Sequence, residues 1–384
     1  MSGIVGIVNF DGAPIDRDLL RRLTESLAFR GPDAQQIEIQ NNVGFGHTLL
    51  RTTYEAETEK QPLTLDGKVW LTGDVRLDGR AELISKLPRK FNTPPNDAEL
   101  LLHAYETWQE DCVKHLIGDF AFAIWDSTRR RLFCARDPLG VRQFYYSYTK
   151  DRFVFSNTLN CLRLDPQVTR NLNEIAIGDF LVFGLNQDPA TTIFSDIKRL
   201  PKAHAIVVSR EGIRSAEYWT PTTTHVHNAD YVAKFNELLG AAVSDRLRTT
   251  RAGVSMSGGL DSSAIAAIAR RQGSELDAYC VVYDSDFHDD ERKYATAVAD
   301  AFEIPLEFLP GNEINQQNCS RTWPEPFDVD PIYVVSVELL RRVSARARVM
   351  LTGWDGDTFL NETPRHSFAR SLKSGNLPRL LLDL

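Results

Sequence analysis

The sequence predicts an α/β protein of two domains: an N-terminal α+β sandwich over residues 1–220 and a C-terminal doubly wound parallel sheet over residues 228–384. Three observations lead there. The 384 residues exceed one ordinary domain and suit two of roughly 150–200 each. The first half sets short apolar segments between Gly, Asp and Pro turns, whereas the second alternates such segments with helix-length amphipathic ones. Between the halves, Thr220-Pro221-Thr222-Thr223-Thr224-His225 is polar and without apolar period, which marks the boundary.

In the first half, strands are expected over 3–8, 43–51, 68–72, 120–126, 131–136 and 153–156. Alternation in 120–126 puts Phe120, Phe122 and Ile124 on one face and Ala121, Ala123 and Trp125 on the other, so both faces are buried. Helices are expected over 16–28 and 97–108, the latter opened by a capping Asn96 or Asp97. In the second half the order is helix 230–248, strand 253–256, helix 262–271, strand 278–283, helix 290–302, strand 305–309, helix 333–347 and strand 349–352. Strands alternating with helices give βαβ units, and such sheets bind ligands beyond the carboxyl ends of their strands.

Composition narrows the class. The chain is 42% hydrophobic, 10% aromatic and 25% charged, which is ordinary for a protein with packed cores. A net charge of −8 argues against nucleic-acid or anionic-membrane partners, which need clustered cations. Arg129-Arg130-Arg131 reads as a solvated hairpin tip rather than a binding patch. No apolar run approaches the ~18 residues of a membrane helix, and the N-terminus lacks the charged and apolar regions of a signal peptide. The cysteines (Cys112, Cys134, Cys161, Cys280 and Cys319) are odd in number and widely spaced, a pattern of reduced core thiols in a cytoplasmic protein. His204, His225 and His227 have no ligand companions and read as surface or linker residues. Asp284, Asp286, Asp289, Asp290 and Glu291 form an acidic loop that composition reads as solvated.

Ser2 lies between Met1 and the apolar run Gly3-Ile4-Val5-Gly6-Ile7. Loss of the initiator methionine would leave Ser2 with an α-amine beside its hydroxyl, the pairing used by N-terminal nucleophile enzymes. The alternative is a buried strand preceded by a tolerated terminal residue. These ten residues leave both open.

After the first strand of the second half stands Ser257-Gly258-Gly259-Leu260-Asp261-Ser262-Ser263, running into an Ala/Ile-rich helix. Two glycines let the backbone approach a ligand, and three hydroxyls with the helix N–H groups make an anion cradle. There is no GxxxxGK run, so this is not a P-loop with its phosphate-binding lysine. A plain turn capped by Asp261 or Ser262 is the competing reading. Three serines, two glycines and an aspartate in seven positions exceed what a cap needs. The last strand ends in Leu351-Thr352-Gly353-Trp354-Asp355-Gly356-Asp357, which a parallel sheet can bring beside the first loop. Asp261 and Asp357 would then face the cradle together, the one or two carboxylates that Mg²⁺ takes with phosphate oxygens.

These residues resemble the asparagine synthetase family, glutamine-dependent amidotransferases fused to an ATP-pyrophosphatase domain. Ser257–Ser263 is similar to that family's pyrophosphate loop and Leu351–Asp357 to its second ATP/Mg²⁺ loop. Arg30-Gly31-Pro32-Asp33, Phe45-Gly46-His47, Gln61-Pro62, Asp97, Gly118–Ala123 and Arg136-Asp137-Pro138-Leu139-Gly140 extend the resemblance through most of the chain. It implies a glutaminase-type domain of the N-terminal nucleophile (Ntn) hydrolase class, then a PP-loop domain of the adenine nucleotide α-hydrolase type. It also implies activation of a small-molecule or peptide carboxylate by ATP and Mg²⁺, then attack by an amine. The nucleotide-binding set implied is Met256, Ser257, Gly258, Gly259, Leu260, Asp261, Ser262, Ser263, Val282, Thr352 and Gly353, with Asp261 and Asp357 for the metal. A ligand-facing role for the acidic loop is implied by the resemblance alone.

The chain departs from the family at the glutamine site. Ser2 replaces the nucleophilic cysteine of MCGI, and an alkoxide is far less accessible than a thiolate near pH 7. Leu49 replaces the arginine of FGHxRL that clamps the glutamine carboxylate. Thr72-Gly73-Asp74 replaces NGE and loses the oxyanion-hole amide. Asp97, which would hold the substrate amine, remains. The glutaminase is therefore expected to be inactive. In the synthetase half, Trp354 replaces a glutamate, and the GWDGD loop is similar to those of β-lactam synthetases and lasso-peptide macrolactam cyclases. There the attacking amine belongs to the substrate, so both sets of departures fit an intramolecular, ring-closing ligase. Asparagine synthesis from aspartate with glutamine or ammonia, and a non-catalytic module that binds ATP or a peptide, are the alternatives. Family members continue through helices bearing an adenylation lysine, whereas this chain ends at Leu384. A fragment, a chain completed by a separate C-terminal or precursor-peptide partner, or a protein no longer competent is the expectation that follows, and an oligomer is a separate option.

Overall fold

The computed structural model describes residues 1–149, 151–222, 230–283, 291–311, 332–354 and 356, with backbone alone for 332–336. Among the described residues the chain divides into two compact units, Met1–Phe235 and Asn236 onward, with the boundary inside the helix Tyr231–Arg246.

The first unit runs β1 (Gly3–Asn9), α1 (Arg17–Glu25), β2 (Ala34–Gln40), β3 (Val43–Leu49), β4 (Leu63–Thr64), β5 (Val69–Asp78), α2 (Arg80–Lys86), α3 (Asp97–Trp108) and β6 (Ile117–Asp126). It continues through β7 (Arg131–Arg136), β8 (Tyr145–Tyr148), β9 (Arg152–Ser156), α4 (Leu159–Leu162), α5 (Glu174–Phe183), β10 (Lys198–Arg199), β11 (His204–Ser209) and β12 (Gly212–Glu217). The strands form two six-stranded sheets, ordered β10-β8-β9-β1-β3-β2 and β12-β11-β7-β6-β5-β4, with every pairing antiparallel.

Strand alternation explains the layering. On β1, Ile4 and Val8 join Phe45, Phe153 and Phe155 in the core between the sheets, opposite Ala121, Ala123 and Trp125 of β6. Val5 and Ile7 face the other way, onto Leu19, Leu20 and Leu23 of α1. On β6, Phe120, Phe122 and Ile124 pack under Leu100, Leu101 and Ala104 of α3. The two-faced burial read from the sequence is what the structure has, in the order helix, sheet, sheet, helix. Caps fix the helix starts. Asp16 accepts from the N–H groups of Asp18 and Leu19, and Asn96 with Glu99 forms a reciprocal capping box at α3. The hairpin turn expected at Arg129-Arg130-Arg131 joins β6 to β7, with Arg129 on Asp126 at 2.8 Å and Arg131 on Glu110 at 2.5 Å.

Several elements were not legible in the sequence. The edge strands β2 and β12 are half-exposed or exposed and carry few apolar residues, so their period is faint. Helix α5 is apolar nearly all round yet buries only Ala176, which erases the helical period.

The second unit runs α6 (Tyr231–Arg246), β13 (Arg251–Ser255), α7 (Leu260–Arg271), β14 (Glu275–Val282), α8 (Glu291–Phe302), β15 (Leu306–Pro310), α9 (Ile332–Ser344) and β16 (Met350–Thr352). Its sheet is parallel throughout, ordered β15-β14-β13-β16. The order reverses at β13, because β14 and β15 lie on one side and β16 on the other. That topological switch point is where such sheets leave a crevice for a ligand. One detail corrects the capped-turn reading. The N-cap of α7 is Gly259, without a side-chain cap, and neither Asp261 nor Ser262 occupies that position.

Candidate active sites

The serine loop lies at the carboxyl end of β13. Its hydroxyls engage one another only through long contacts: Ser257 Oγ to Ser262 Oγ, the Gly259 N–H to Ser257 Oγ and the Ser257 N–H to Ser262 Oγ, all 3.3 Å. Ser262 Oγ reaches the Gly259 carbonyl at 3.4 Å, and the buried Ser263 hydroxyl has no hydrogen-bond partner. Hydroxyl bonds of about 2.7–2.8 Å are the norm, so these groups are held near one another but weakly satisfied, a state that suits exchange for anionic oxygens. Gly258 has φ +79° and passes so close to α8 that a Cβ would lie 2.6 Å from Tyr294 Cβ. Only glycine meets both conditions.

The second loop meets the first. A Cβ at Gly353 would lie 2.6 Å from the Ser262 nitrogen, and one at Gly356 would lie 2.3 Å from Asp261 Oδ2. The apposition follows from the register of β16 on β13, Ser255 opposite Thr352. Asp357, the expected second metal carboxylate, lies outside the described residues, as do Asp355, His225, His227, the acidic residues 284–290, Arg321-Thr322-Trp323-Pro324, Cys319 and the tail after 356. Met256 and Val282 are fully buried core residues of the sheet, so they floor the crevice rather than line its opening. Among the described residues no group of three or more His, Cys, Asp or Glu is placed to hold a metal. Asp261 is one described carboxylate beside the loop, and weakly satisfied hydroxyls of this kind fit polyphosphate oxygens.

In the first unit, a cleft is lined by Ser2, Leu50, Asp74, Arg76, Asp97 and Arg142, among others. Ser2 is buried and held by three hydrogen bonds. Its hydroxyl accepts from the Leu50 N–H at 3.1 Å, its carbonyl from Asn157 Nδ2 at 2.7 Å, and its N–H donates to Asp74 Oδ1 at 3.1 Å. With Met1 in place that nitrogen is a peptide N–H and cannot act as a base. As a free amine it would sit on a carboxylate that favours its charged form, again the wrong state for a base. The Met1 amine itself is pushed down to about 6 by burial, with Asp74 opposing.

The other glutamine-site positions are also spoken for. The Gly73 N–H donates to Gln61 Oε1 at 2.7 Å, while Gln61 Nε2 donates to the Gly73 carbonyl at 3.0 Å and to Glu59 at 2.7 Å. Thr72 Oγ1 lies 3.3 Å from His47 Nδ1 and from the Gly46 carbonyl. Leu49 is buried and lines a second cavity with His47, Glu59 and Gln61, while Glu59 also borders the Ser2 cleft. Asp97 is held by Arg80 and by the Leu77 N–H at 3.1 Å. Sequence reasoning had no signal for Arg80, whose importance comes from the turn that brings α2 against the start of α3. It also had none for Glu59, whose carboxyl burial pushes up to about 7. Nor did it single out Arg142, 3.7 Å from Asp74.

The two units define a class, a glutaminase-type sandwich joined to a nucleotide-type parallel sheet. Residues 1–219 match the family described as glutamine amidotransferase domain, and residues 234–381 that described as asparagine synthase. The chain belongs to the asparagine synthetase family that joins them. A Bacillus subtilis protein named asparagine synthetase (glutamine-hydrolyzing) 3 is 33% identical over 306 residues, which are 74% of this chain and 49% of that protein. A second B. subtilis asparagine synthetase is 26% identical, covering 94% of this chain and 52% of its own. The chain thus spans about half the length of these curated relatives. A B. subtilis glutamine phosphoribosylpyrophosphate amidotransferase solved with ADP and GMP covers 94% of this chain and 93% of its own, at 15% identity and a TM-score of 0.40. Among the described residues no helix is long and apolar enough to cross a membrane.

Proposed function

We propose that the second unit is an ATP- and Mg²⁺-dependent amide-forming centre. A carboxylate oxygen of a small-molecule or peptide substrate attacks the α-phosphorus of ATP and expels pyrophosphate. An amine then attacks the acyl carbon and AMP leaves. The observation that carries this reading is the approach of Gly356 to Asp261, which sets the second loop over the serine cradle at the switch point of the sheet. In it, Ser257, Ser262 and Ser263 with the first N–H groups of α7 would hold the pyrophosphate oxygens, and Asp261 would ligate Mg²⁺. The ion, when bound, neutralises phosphate charge. Cys112, Cys134, Cys161 and Cys280 are buried thiols, which suits the reducing cytoplasm.

We further propose that the attacking amine is not ammonia drawn from glutamine. The support is in the first unit, where Ser2, Gly73 and Asp97 are each engaged within the protein. Ring closure within one substrate, as in lasso-peptide or β-lactam formation, needs no glutaminase. The second reading, asparagine formation from aspartate, draws on the names of the relatives.

The test is ATP–pyrophosphate exchange with Mg²⁺ over aspartate, small β-amino acids and leader-bearing peptides, with Asp261→Ala as control. Exchange with one carboxylate, lost in the control, is expected. ADP and phosphate as products would overturn adenylation, and exchange with aspartate followed by asparagine formation would favour the second reading.

A further inference from the structure

The serine loop is polar, yet three large apolar side chains stand in solvent around it. Leu260, inside the loop, is 90% exposed, Trp354 is 67% exposed and Tyr294 of α8 is 52% exposed. Two of them belong to segments fixed against the loop. Tyr294 is held against the loop by the close approach of its Cβ to Gly258. Trp354 stands between Gly353 and Gly356, the two points at which the second loop touches Ser262 and Asp261.

A polyphosphate makes no use of apolar surface, so these side chains serve another part of the ligand. The two aromatics come from opposite sides of β13, since α8 leads into β15 beyond β14 whereas Trp354 follows β16. A nucleotide base is one flat ring and needs one platform. The carboxylate that attacks must approach the α-phosphorus beside the metal-bearing group, Asp261. Gly356, two residues beyond Trp354, is the residue that touches Asp261. Resting on the adenylation reading, we propose that Trp354 contacts the acyl substrate, and that this substrate carries an apolar or aromatic group next to the carboxylate it activates. Trp354 is then a specificity-determining residue that disfavours small polar acids such as aspartate.

The test uses non-reactive acyl-adenylate mimics, sulfamoyladenosines bearing a phenylalanyl, aspartyl or glycyl group, with binding followed by calorimetry alongside MgATP. The wild-type chain is expected to bind the phenylalanyl mimic about tenfold more tightly than the glycyl or aspartyl one, the scale of one aromatic contact. Trp354→Ala should bring that ratio near one while MgATP affinity stays within about twofold, and Trp354→Phe should retain the preference. An unchanged ratio in Trp354→Ala would overturn the proposal. So would an equal loss for MgATP and all mimics, which would assign Trp354 to the base. Should the wild-type chain bind neither MgATP nor any mimic, the adenylation reading fails and this one with it.

Discussion

The guanidinium of Arg80 sits on the carboxylate of Asp97, and both are buried. Arg80 also donates to the Pro95 carbonyl and lies 3.6 Å from Glu55, while the second Asp97 oxygen takes the Leu77 N–H at 3.1 Å. A carboxylate that the family would offer to a substrate ammonium is here neutralised from within. This pair also ties the start of α2 to the start of α3.

Breaking such a pair from one side strands a buried charge. Arg80→Ala should cost about 3–5 kcal/mol in urea unfolding, and Asp97→Asn in the same chain should recover part of it. A loss under about 1 kcal/mol would mean that the pair holds nothing.

Restoring the nucleophile should not restore the reaction. Ser2→Cys is expected to release glutamate from glutamine at the background rate, because Leu49 lines a second cavity, the Gly73 N–H is taken by Gln61, and Asp97 by Arg80. Glutamate release above that of Ser2→Ala would refute the inactive-glutaminase reading.

His47 and Glu59 share the cavity behind β3 and should tilt stability in opposite directions. Burial holds His47 at about 4 against an ordinary 6.5, so the unfolded chain binds the extra proton between those values and stability rises with pH there. Burial lifts Glu59 from 4.5 to about 7, so the native chain binds the extra proton and stability falls as pH rises through that range. Each amounts to about 3 kcal/mol, and they cancel where the ranges overlap. Glu59→Gln should therefore unmask a rise in stability between pH 4.5 and 6.5, measured by urea unfolding at stepped pH. A flat profile in that variant would contradict the burial of His47 as the neutral ring.

The loop apposition is the easiest feature of the second unit to break. Gly356→Ala puts a methyl within 2.3 Å of Asp261 Oδ2, and Gly353→Ala puts one within 2.6 Å of the Ser262 nitrogen. Both should weaken MgATP binding by about tenfold or more in calorimetry with little change in thermal midpoint, since neither loop lies in the core. Unchanged affinity would show that the two loops need not touch for nucleotide to bind.

Most of the second unit was legible because its strands are short apolar runs and its helices are amphipathic, so period alone separates them. In the first unit, β1, β6, α1 and α3 carried the signal, with the capping box of Asn96 and Glu99 fixing one boundary. Strands β2 and β12 did not, because edge strands are only partly buried and need no apolar alternation. Short-range chemistry also placed the serine loop, whose seven residues are consecutive.

What the sequence by itself determined was the two-part architecture, the buried faces of β6, the place of the serine loop after the first strand of the parallel sheet, and the residue types at Ser2 and Leu49. These depend on residue type and local spacing. What only the tertiary structure decided was where isolated side chains end up after long chain excursions: Gln61 on Gly73, Asn157 on the Ser2 carbonyl, Arg80 on Asp97, and Gly356 against Asp261. A hydrogen bond or ion pair across such separations has no period and no local motif, because it exists only once sheets and turns have set the distances.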